Sequence, residues 1–261
     1  MQYPVHAMFL TTPNATLHLQ SFGPGPRTLL AFGGWAGSWQ LWAPPFSILS
    51  RTWRTVAYDH RGSGATITPL EAITVENMVS DVFAVMDALD IGRCVLAAES
   101  AGATVALLAA LERPERFDGL VLVDGLIHYP PFDASAPFVR GLWADFETTI
   151  GGFVDACTPE PGSEAIRHWG RQILRASGPD AAVRLLECVA GIDLRPRVAE
   201  IALPTVLIHG DADALVPVAD SVWLAGQMPQ ATLHILPGAG HVPTMTRPAE
   251  VAAIIDGAFA A

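Results

Sequence analysis

The chain has 261 residues, of which 51% are hydrophobic and 16% are charged, and this composition is typical of a globular domain with a large core. Its formal net charge of −11 argues against nucleic acid and anionic membrane surfaces as partners. All 15 basic residues are arginine, and the lack of lysine excludes a Schiff-base lysine, a P-loop lysine and a serine–lysine dyad.

The cysteines and the amino-terminal residues indicate the cellular compartment of the protein. Cys94, Cys157 and Cys188 are odd in number and far apart, so no disulfide framework is expected. Residues 1–6 lack the basic and apolar regions of a secretory signal, and no apolar run is long enough to span a membrane. We therefore expect a cytoplasmic protein that does not bind membranes.

The first third of the chain predicts strands at a sheet edge and in its interior. His6–Thr11 and Ala15–Phe22 alternate like an antiparallel hairpin, and Thr28–Phe32 is typical of a buried strand. The glycine-rich stretch Gly33–Ser38 follows directly. In such a loop, backbone N–H groups can be turned toward a ligand.

A second loop of interest follows the predicted strand Trp53–Tyr58. Within Asp59–Gly64 the glycines lack the third member of a dinucleotide fingerprint and no helix opens directly, so no dinucleotide site and no cofactor are predicted. Val75–Leu89 then places apolar residues at helical spacing, which predicts a helix that covers the sheet.

A serine stands where the next strand meets the next helix. Cys94–Ala98 is short and apolar, as in a buried parallel strand, and the residues from Ala101 onward favour a helix. Ser100 lies at this joint between small neighbours, which a tight turn requires. A serine that only caps a helix would give the same pattern.

The remaining elements predict a βαβ order with one interruption. Gly119–Asp124 is a further buried strand, whereas 126–195 contains aromatic and helical stretches and no evident strand. The helical stretches are Ser163–Ala176 and Asp180–Cys188, and the sheet and its helices resume with Pro204–Gly210, Val218–Gln227, Thr232–Leu236 and Pro248–Phe259.

The segment Ala98-Glu99-Ser100-Ala101-Gly102 resembles the G-x-S-x-G nucleophile elbow of the α/β-hydrolase family, with alanine in place of the first glycine. Asp59–Gly64 resembles the D-x-R-G-x-G turn of the same family. The resemblance implies an α/β fold: a mostly parallel sheet with helices on both faces. It also implies a core formed by 1–125 and 196–261, and a helical cap at 126–195 that roofs an apolar pocket.

A serine nucleophile needs a base, and the base needs a partner that holds its tautomer. The resemblance identifies His241, in a Pro-Gly-Ala-Gly-His loop, as the base and Asp213 as the acid, and the chain order agrees with the fold. Asp211 and Asp124, at the ends of neighbouring strands, remain rival acids.

The resemblance also implies an oxyanion hole formed by the backbone N–H groups of Trp35 and Ala101. Gly33 stands where the family usually has histidine.

Several polar residues near the motifs are expected to be structural. His209 and His234 lie inside predicted strands and should be satisfied core histidines. His60 should belong to local structure, like Asp59 and Arg61. No histidines form a metal-binding pair at helical spacing, so no metal site is predicted.

We therefore expect a serine hydrolase that cleaves a small carboxylic ester, a lactone or a related carbonyl substrate through an acyl-enzyme. The expected partner is a small apolar molecule. A carbon–carbon hydrolase, a lyase or a perhydrolase using the same residues, and a non-catalytic small-molecule binding protein, remain alternatives. The oligomeric state, monomer or homodimer, stays open.

Overall fold

The computed structural model describes residues 6–260. Residues 1–5 and residue 261 lie outside this part. The expectation that no secretory signal is present concerns the first of these segments. Eight strands are present among the described residues: β1 (His6–Thr12), β2 (Ala15–Phe22), β3 (Arg27–Phe32), β4 (Trp53–Tyr58), β5 (Cys94–Glu99), β6 (Phe117–Val123), β7 (Thr205–Gly210) and β8 (Ala231–Leu236).

Ten α-helices are present in the part of the chain that the structure describes. They are α1 (Ala43–Leu49), α2 (Val75–Ala88), α3 (Gly102–Glu112), α4 (Pro137–Ala144), α5 (Phe146–Cys157), α6 (Glu164–Arg175), α7 (Gly178–Val189), α8 (Val218–Gln227), α9 (Pro243–Thr246) and α10 (Pro248–Ala258).

The strands form one sheet in the order β1-β2-β4-β3-β5-β6-β7-β8. The β1–β2 and β2–β4 pairs are antiparallel and all other pairs are parallel, so the predicted hairpin lies at one edge. The predicted fold class, a mostly parallel sheet covered by helices, is confirmed.

Both faces of the sheet carry a hydrophobic core because neighbouring residues of a strand point to opposite faces. In β3, Leu30 packs with α2 and α3, whereas Leu29 and Ala31 pack on the other face with α1 and α10. The central strands are buried along their whole length, which explains why they read as unbroken apolar runs.

This topology brings the loops after six parallel strands to one edge of the sheet. Ser100 follows β5, Asp213 follows β7 and His241 follows β8. The glycine-rich loop follows β3 and the Asp59–Gly64 turn follows β4. Ligand sites of open parallel sheets lie at this carboxyl edge.

Four helices, α4 to α7, occupy the chain between β6 and β7, and no strand of the sheet lies there. We call residues 126–195 the helical insertion. Helices α6 and α7 were predicted within a few residues, whereas α1, α4 and α5 were not predicted. Helix α5 contains two threonines and two glycines, and it forms because Asp145 accepts a hydrogen bond from the Thr148 N–H and because Ile150 and Val154 are buried.

Within residues 6–260, no helix combines the length and the apolar character that a bilayer crossing requires.

Candidate active site

Ser100 lies on a sharp turn between β5 and α3. Its φ of +51° is in the left-handed region, and its N–H donates to the Val123 carbonyl at 2.8 Å. A Cβ at Gly102 would lie 2.6 Å from the Gly33 carbonyl oxygen, so this position requires glycine. The side chain of residue 98 is fully buried, and alanine fits there in place of the first glycine of the motif.

His241 connects this serine to a carboxylate. Its Nε2 lies 2.9 Å from Ser100 Oγ, and its Nδ1 lies 2.6 Å from Asp213 Oδ2. The imidazole is almost fully buried. The structure therefore brings together the three side chains that the sequence predicts as nucleophile, base and acid.

Backbone donors and a second histidine hold Asp213 in place. The N–H groups of Leu215 and Val216 donate to Oδ1 at 2.7 and 3.0 Å, and His209 Nε2 lies 3.4 Å from Oδ2. Burial alone would raise the pKa of Asp213, but the hydrogen bonds from His209 and His241 outweigh it and hold the pKa below its ordinary value. Asp213 is therefore ionised and can stabilise a charged His241.

The two rival acids have different surroundings. Asp211 is exposed, and its Oδ1 accepts the Gly238 N–H at 2.6 Å, as a turn-forming residue does. Asp124 is fully buried; Oδ1 accepts the Gly210 N–H at 3.0 Å and Oδ2 has no partner among the described residues. Burial and the charge of Asp213 raise the pKa of Asp124 well above its ordinary value, which favours the neutral form of its carboxyl group.

The glycine-rich loop lies against the serine. A Cβ on Gly34 would be 2.7 Å from Ser100 Cβ and 3.4 Å from the Ala101 nitrogen, so the backbones of the two loops are in contact. Within residues 6–260 the N–H groups of Trp35 and Ala101 donate to no protein group. This is the arrangement that an anion-binding pair of donors requires.

The Trp35 side chain attaches this loop to the helical insertion. Its indole N–H donates to the Ala182 carbonyl of α7 at 2.8 Å. Its ring packs against Phe138 of α4 and Phe153 of α5, at centroid distances of 5.3 and 5.0 Å. A displacement of the insertion would therefore displace the loop.

The insertion also holds the loop that carries His241. The His241 N–H donates to the Cys157 carbonyl at 2.8 Å, and the Gly240 N–H donates to Glu160 Oε1 at 3.0 Å. A Cβ on Gly240 would be 2.4 Å from the Cys157 oxygen. Glycine is therefore required for this close approach.

Two cavities, of 190 and 60 Å³, adjoin Ser100 and His241, and Trp35 and Phe153 line both of them. No arginine lines either cavity in the described structure. The lining of the larger cavity includes Met78, Val105, Leu126, Tyr129, Phe138, Leu185, Leu186 and Val189, and that of the smaller one includes Leu41, Val154, Ile166, Ile173, Leu174 and Met245.

Glu99, next to the serine, is a polar exception in this apolar lining. It is 1% exposed, accepts a hydrogen bond from Thr244 Oγ1 at 2.8 Å through Oε1, and has no partner for Oε2. Burial raises the pKa of Glu99 to about 8, against the lowering effect of the Thr244 bond and with a further contribution from the Asp213 charge. At neutral pH the residue is a neutral carboxylic acid.

Ligating atoms of Asp124, Asp213 and His241 lie within 4.8 Å of one another, the one such group among the described residues. Asp213 and His241 bond each other at 2.6 Å, and the raised pKa of Asp124 favours a protonated group, which is a poor ligand. This donor set fits proton transfer better than metal binding.

The remaining sequence expectations concern histidines and the Asp59–Gly64 turn. His209 is buried and bonded to Ser221 Oγ at 2.7 Å, as expected. His234 is not a core residue, because β8 is an edge strand and leaves it partly exposed. Arg61 is buried and paired with Asp81 through Nε at 2.7 Å, so it does not reach the cavities.

Two residues with a place at the site, Glu99 and Glu160, were missed, and so was the role of the Trp35 side chain. Glu99 could have been found from the sequence, because it is an acidic residue at the end of the otherwise apolar strand β5. Trp35 was predicted only for its backbone N–H, and nothing local indicates its contacts with the insertion. Glu160 lies in a polar loop with no pattern, so only the three-dimensional contact reveals it.

The comparisons with known proteins agree with this geometry. Residues 27–166 match the α/β-hydrolase fold family. The chain belongs to this family and is an enzyme of the α/β-hydrolase class, as predicted.

Among its relatives, the RutD protein of Caulobacter sp. (strain K31), provisionally named a carbamate hydrolase, is 30% identical over 85% of this chain and 86% of its own length. The pimeloyl-[acyl-carrier protein] methyl ester esterase of Nitrosomonas europaea is 29% identical over 93% of this chain and 99% of its own. The crystal structure of the enol-lactonase from Burkholderia xenovorans LB400 superposes with a TM-score of 0.88 at 19% identity, covering 97% of this chain and 100% of that chain.

Proposed function

We propose that this enzyme is a serine hydrolase that cleaves a small, neutral carboxylic ester, lactone or related carbonyl compound through an acyl-enzyme. The observation that carries the proposal is the chain of contacts from Ser100 Oγ to His241 Nε2, at 2.9 Å, and from His241 Nδ1 to Asp213 Oδ2, at 2.6 Å. The names of the carbamate hydrolase, esterase and enol-lactonase relatives support the class of substrate.

The proposed mechanism has two halves. His241 takes the proton of Ser100 as its oxygen attacks the carbonyl carbon, and the N–H groups of Trp35 and Ala101 stabilise the oxyanion. His241 then gives that proton to the departing oxygen, which leaves an acyl group on Ser100. Water, deprotonated by His241, then attacks the acyl carbon, and His241 returns the proton to Ser100 Oγ as the bond to the acyl group breaks and the acid leaves. Asp213 stabilises the charged imidazole in both halves.

A fluorophosphonate probe tests the nucleophile. Wild-type protein should be labelled at Ser100, Ser100→Ala should not be labelled, and His241→Ala should react much more slowly. Ser221→Ala is a matched control, because Ser221 is a second buried serine bonded to a histidine and does not line either cavity. It should be labelled with undiminished stoichiometry.

Two negative outcomes would change the proposed function. Folded wild-type protein that is not labelled would favour a non-catalytic binding protein. Labelling without hydrolysis of a panel of p-nitrophenyl esters and lactones would favour carbon–carbon cleavage or lyase chemistry on the same residues.

The lining of the cavities supports a neutral substrate. A carboxylate on the substrate would enter an apolar cavity that offers no arginine, and an unpaired buried charge is strongly disfavoured. Neutral esters should therefore have a kcat/KM at least about 100-fold above that of matched esters ending in a carboxylate. Equal values would contradict a neutral substrate and leave the serine mechanism intact.

A cytoplasmic location is part of this proposal. It is supported by the three cysteines, which form no disulfide in the described structure.

A further inference from the structure

His60 occupies a place beside the site that the proposed mechanism does not use. It is 5% exposed, lines the larger cavity and follows the carboxyl end of β4. Its Nε2 lies 2.8 Å from the Gly34 carbonyl oxygen, and its Nδ1 lies 2.9 Å from the Arg61 carbonyl oxygen. Any form of the ring that carries a proton on Nε2 donates to Gly34.

The Gly34 carbonyl belongs to the same peptide unit as the Trp35 N–H. The described peptide bonds include no cis bond, and in a trans peptide the C=O and N–H vectors point in opposite directions. The Gly37 N–H also donates to the Gly34 oxygen, at 3.0 Å. A carbonyl oxygen can only accept, so the 2.8 Å contact requires a proton on His60 Nε2, and with that proton the Gly34 oxygen has two donors. These fix the direction of the Trp35 N–H and polarise it, because hydrogen bonds in a chain strengthen one another.

The backbone on either side of His60 is held firmly. Asp59 accepts the Trp39 N–H at 2.7 Å and the Ala65 N–H at 2.9 Å. Arg61 binds Asp81 through two nitrogens, at 2.7 and 2.9 Å. The imidazole is thus presented from a rigid turn, as the support of a preorganised site requires.

From these contacts we infer that His60 is a positioning residue for the oxyanion hole, which acts by orienting the Gly34–Trp35 peptide. The inference rests on the proposed function, since it assigns a role to the Trp35 N–H. In the glycine-rich loop, Gly33 has no side chain that could support the backbone. The contact of His60 with Gly34 supplies that support.

A pair of polar variants tests the role. In His60→Gln the side-chain amide reaches the position of Nε2, whereas in His60→Asn a donor remains only near the position of Nδ1. We expect His60→Asn to lower kcat about tenfold with KM unchanged, since the Trp35 N–H stays in place but loses its orientation. His60→Gln should keep kcat within about threefold of the wild type.

Inhibitor affinities separate this role from a general structural one. A phenylboronic acid forms a tetrahedral adduct with Ser100 that uses the oxyanion hole, whereas an amide analogue of the substrate ester occupies only the cavities. His60→Asn should weaken binding of the boronic acid and leave binding of the amide unchanged. Equal weakening of both would overturn the inference.

His18→Leu is the matched control, because His18 Nδ1 bonds the same turn through Asp59, at 2.9 Å, without contacting Gly34. It should lower the Tm while kcat stays within about twofold of the wild type. Equal kcat in the Asn and Gln variants of His60 would overturn only this inference. Wild-type protein that fluorophosphonate does not label would overturn the proposed function and this inference together.

Discussion

The carboxyl edge of the sheet and the helical insertion contribute to the same site in different ways. The sheet supplies Ser100, Asp213 and His241 from the ends of its strands. The insertion supplies part of the apolar wall of both cavities and holds the loops of Trp35 and His241, mainly through backbone carbonyls of Cys157 and Ala182. We infer that the sheet determines the chemistry, whereas the insertion completes the pocket and aligns the loops.

This difference also explains what could be predicted from the sequence. The strands that carry the site are apolar runs that end in glycine or a polar residue, so β4 and β7 were located within a residue. Ser100 and Asp213 follow such runs, and His241 follows the edge strand β8; all three lie in short motifs. Each of these signals is local, and local signals survive in a single sequence.

The contributions of the insertion are not local. Helix α5 contains residues that disfavour helices, and it is stabilised by burial against the rest of the fold. The contact between Glu160 and Gly240 joins positions that are 80 residues apart, and Ala182 contributes only its carbonyl oxygen. Any residue type has such a carbonyl, so no sequence pattern marks it.

The largest effect should come from one of the two buried carboxyl groups at the sheet edge, that of Asp213. Asp213→Asn should lower kcat by about 10⁴-fold, because the amide favours the wrong tautomer of His241, while the Tm changes little. Asp124→Asn should keep most of the activity, since burial raises the pKa of that carboxyl and favours its neutral form. Steady-state kinetics and thermal unfolding of both variants check this, and the reverse ranking would show that Asp124 is the acid.

Removing the hydrogen bond between the insertion and the His241 loop should have a smaller effect on kcat. Glu160→Ala removes the acceptor for the Gly240 N–H and should lower kcat by roughly tenfold through misplacement of the imidazole. Glu160→Gln retains an acceptor oxygen and should behave like the wild type. If kcat is the same in all three proteins, the insertion does not align the base.

The acid beside the nucleophile should affect activity only at alkaline pH. Glu99 loses its proton at about pH 8, which places a negative charge in the lining of the smaller cavity. This charge opposes the development of a negative oxyanion, so kcat/KM should decline above this pH. Glu99→Gln cannot ionise and should lack this decline, with similar activity at pH 7. The pH profiles of the two proteins give the comparison.

Stability should show the same ionisation. The unfolded chain releases the Glu99 proton near pH 4.5 and the folded protein near pH 8, so the free energy of unfolding falls as pH rises through this window. The difference between wild type and Glu99→Gln should therefore change by up to about 1.4 kcal/mol per pH unit there. Urea unfolding between pH 5 and pH 8 measures it, and parallel curves would mean that Glu99 is ionised in the folded state.

The smallest effect should come from the indole bond to the insertion. Trp35→Phe retains a backbone N–H and a ring against Phe138 and Phe153 but loses the donor to Ala182. We expect a loss of about 1 kcal/mol in the free energy of unfolding and a kcat within about twofold of the wild type. Urea unfolding and steady-state kinetics check both values, and a much larger fall in kcat would show that the bond aligns the oxyanion hole.

The contacts of Cys157, Glu160 and Ala182 with the sheet loops have a consequence for turnover. A conformer in which the insertion has moved away from the sheet lacks the bonds that hold the His241 loop and the Trp35 loop. Such a conformer would be more open to substrate and would cleave it more slowly. If substrate enters through it, entry and cleavage belong to different conformers, and the rate of reclosure limits turnover.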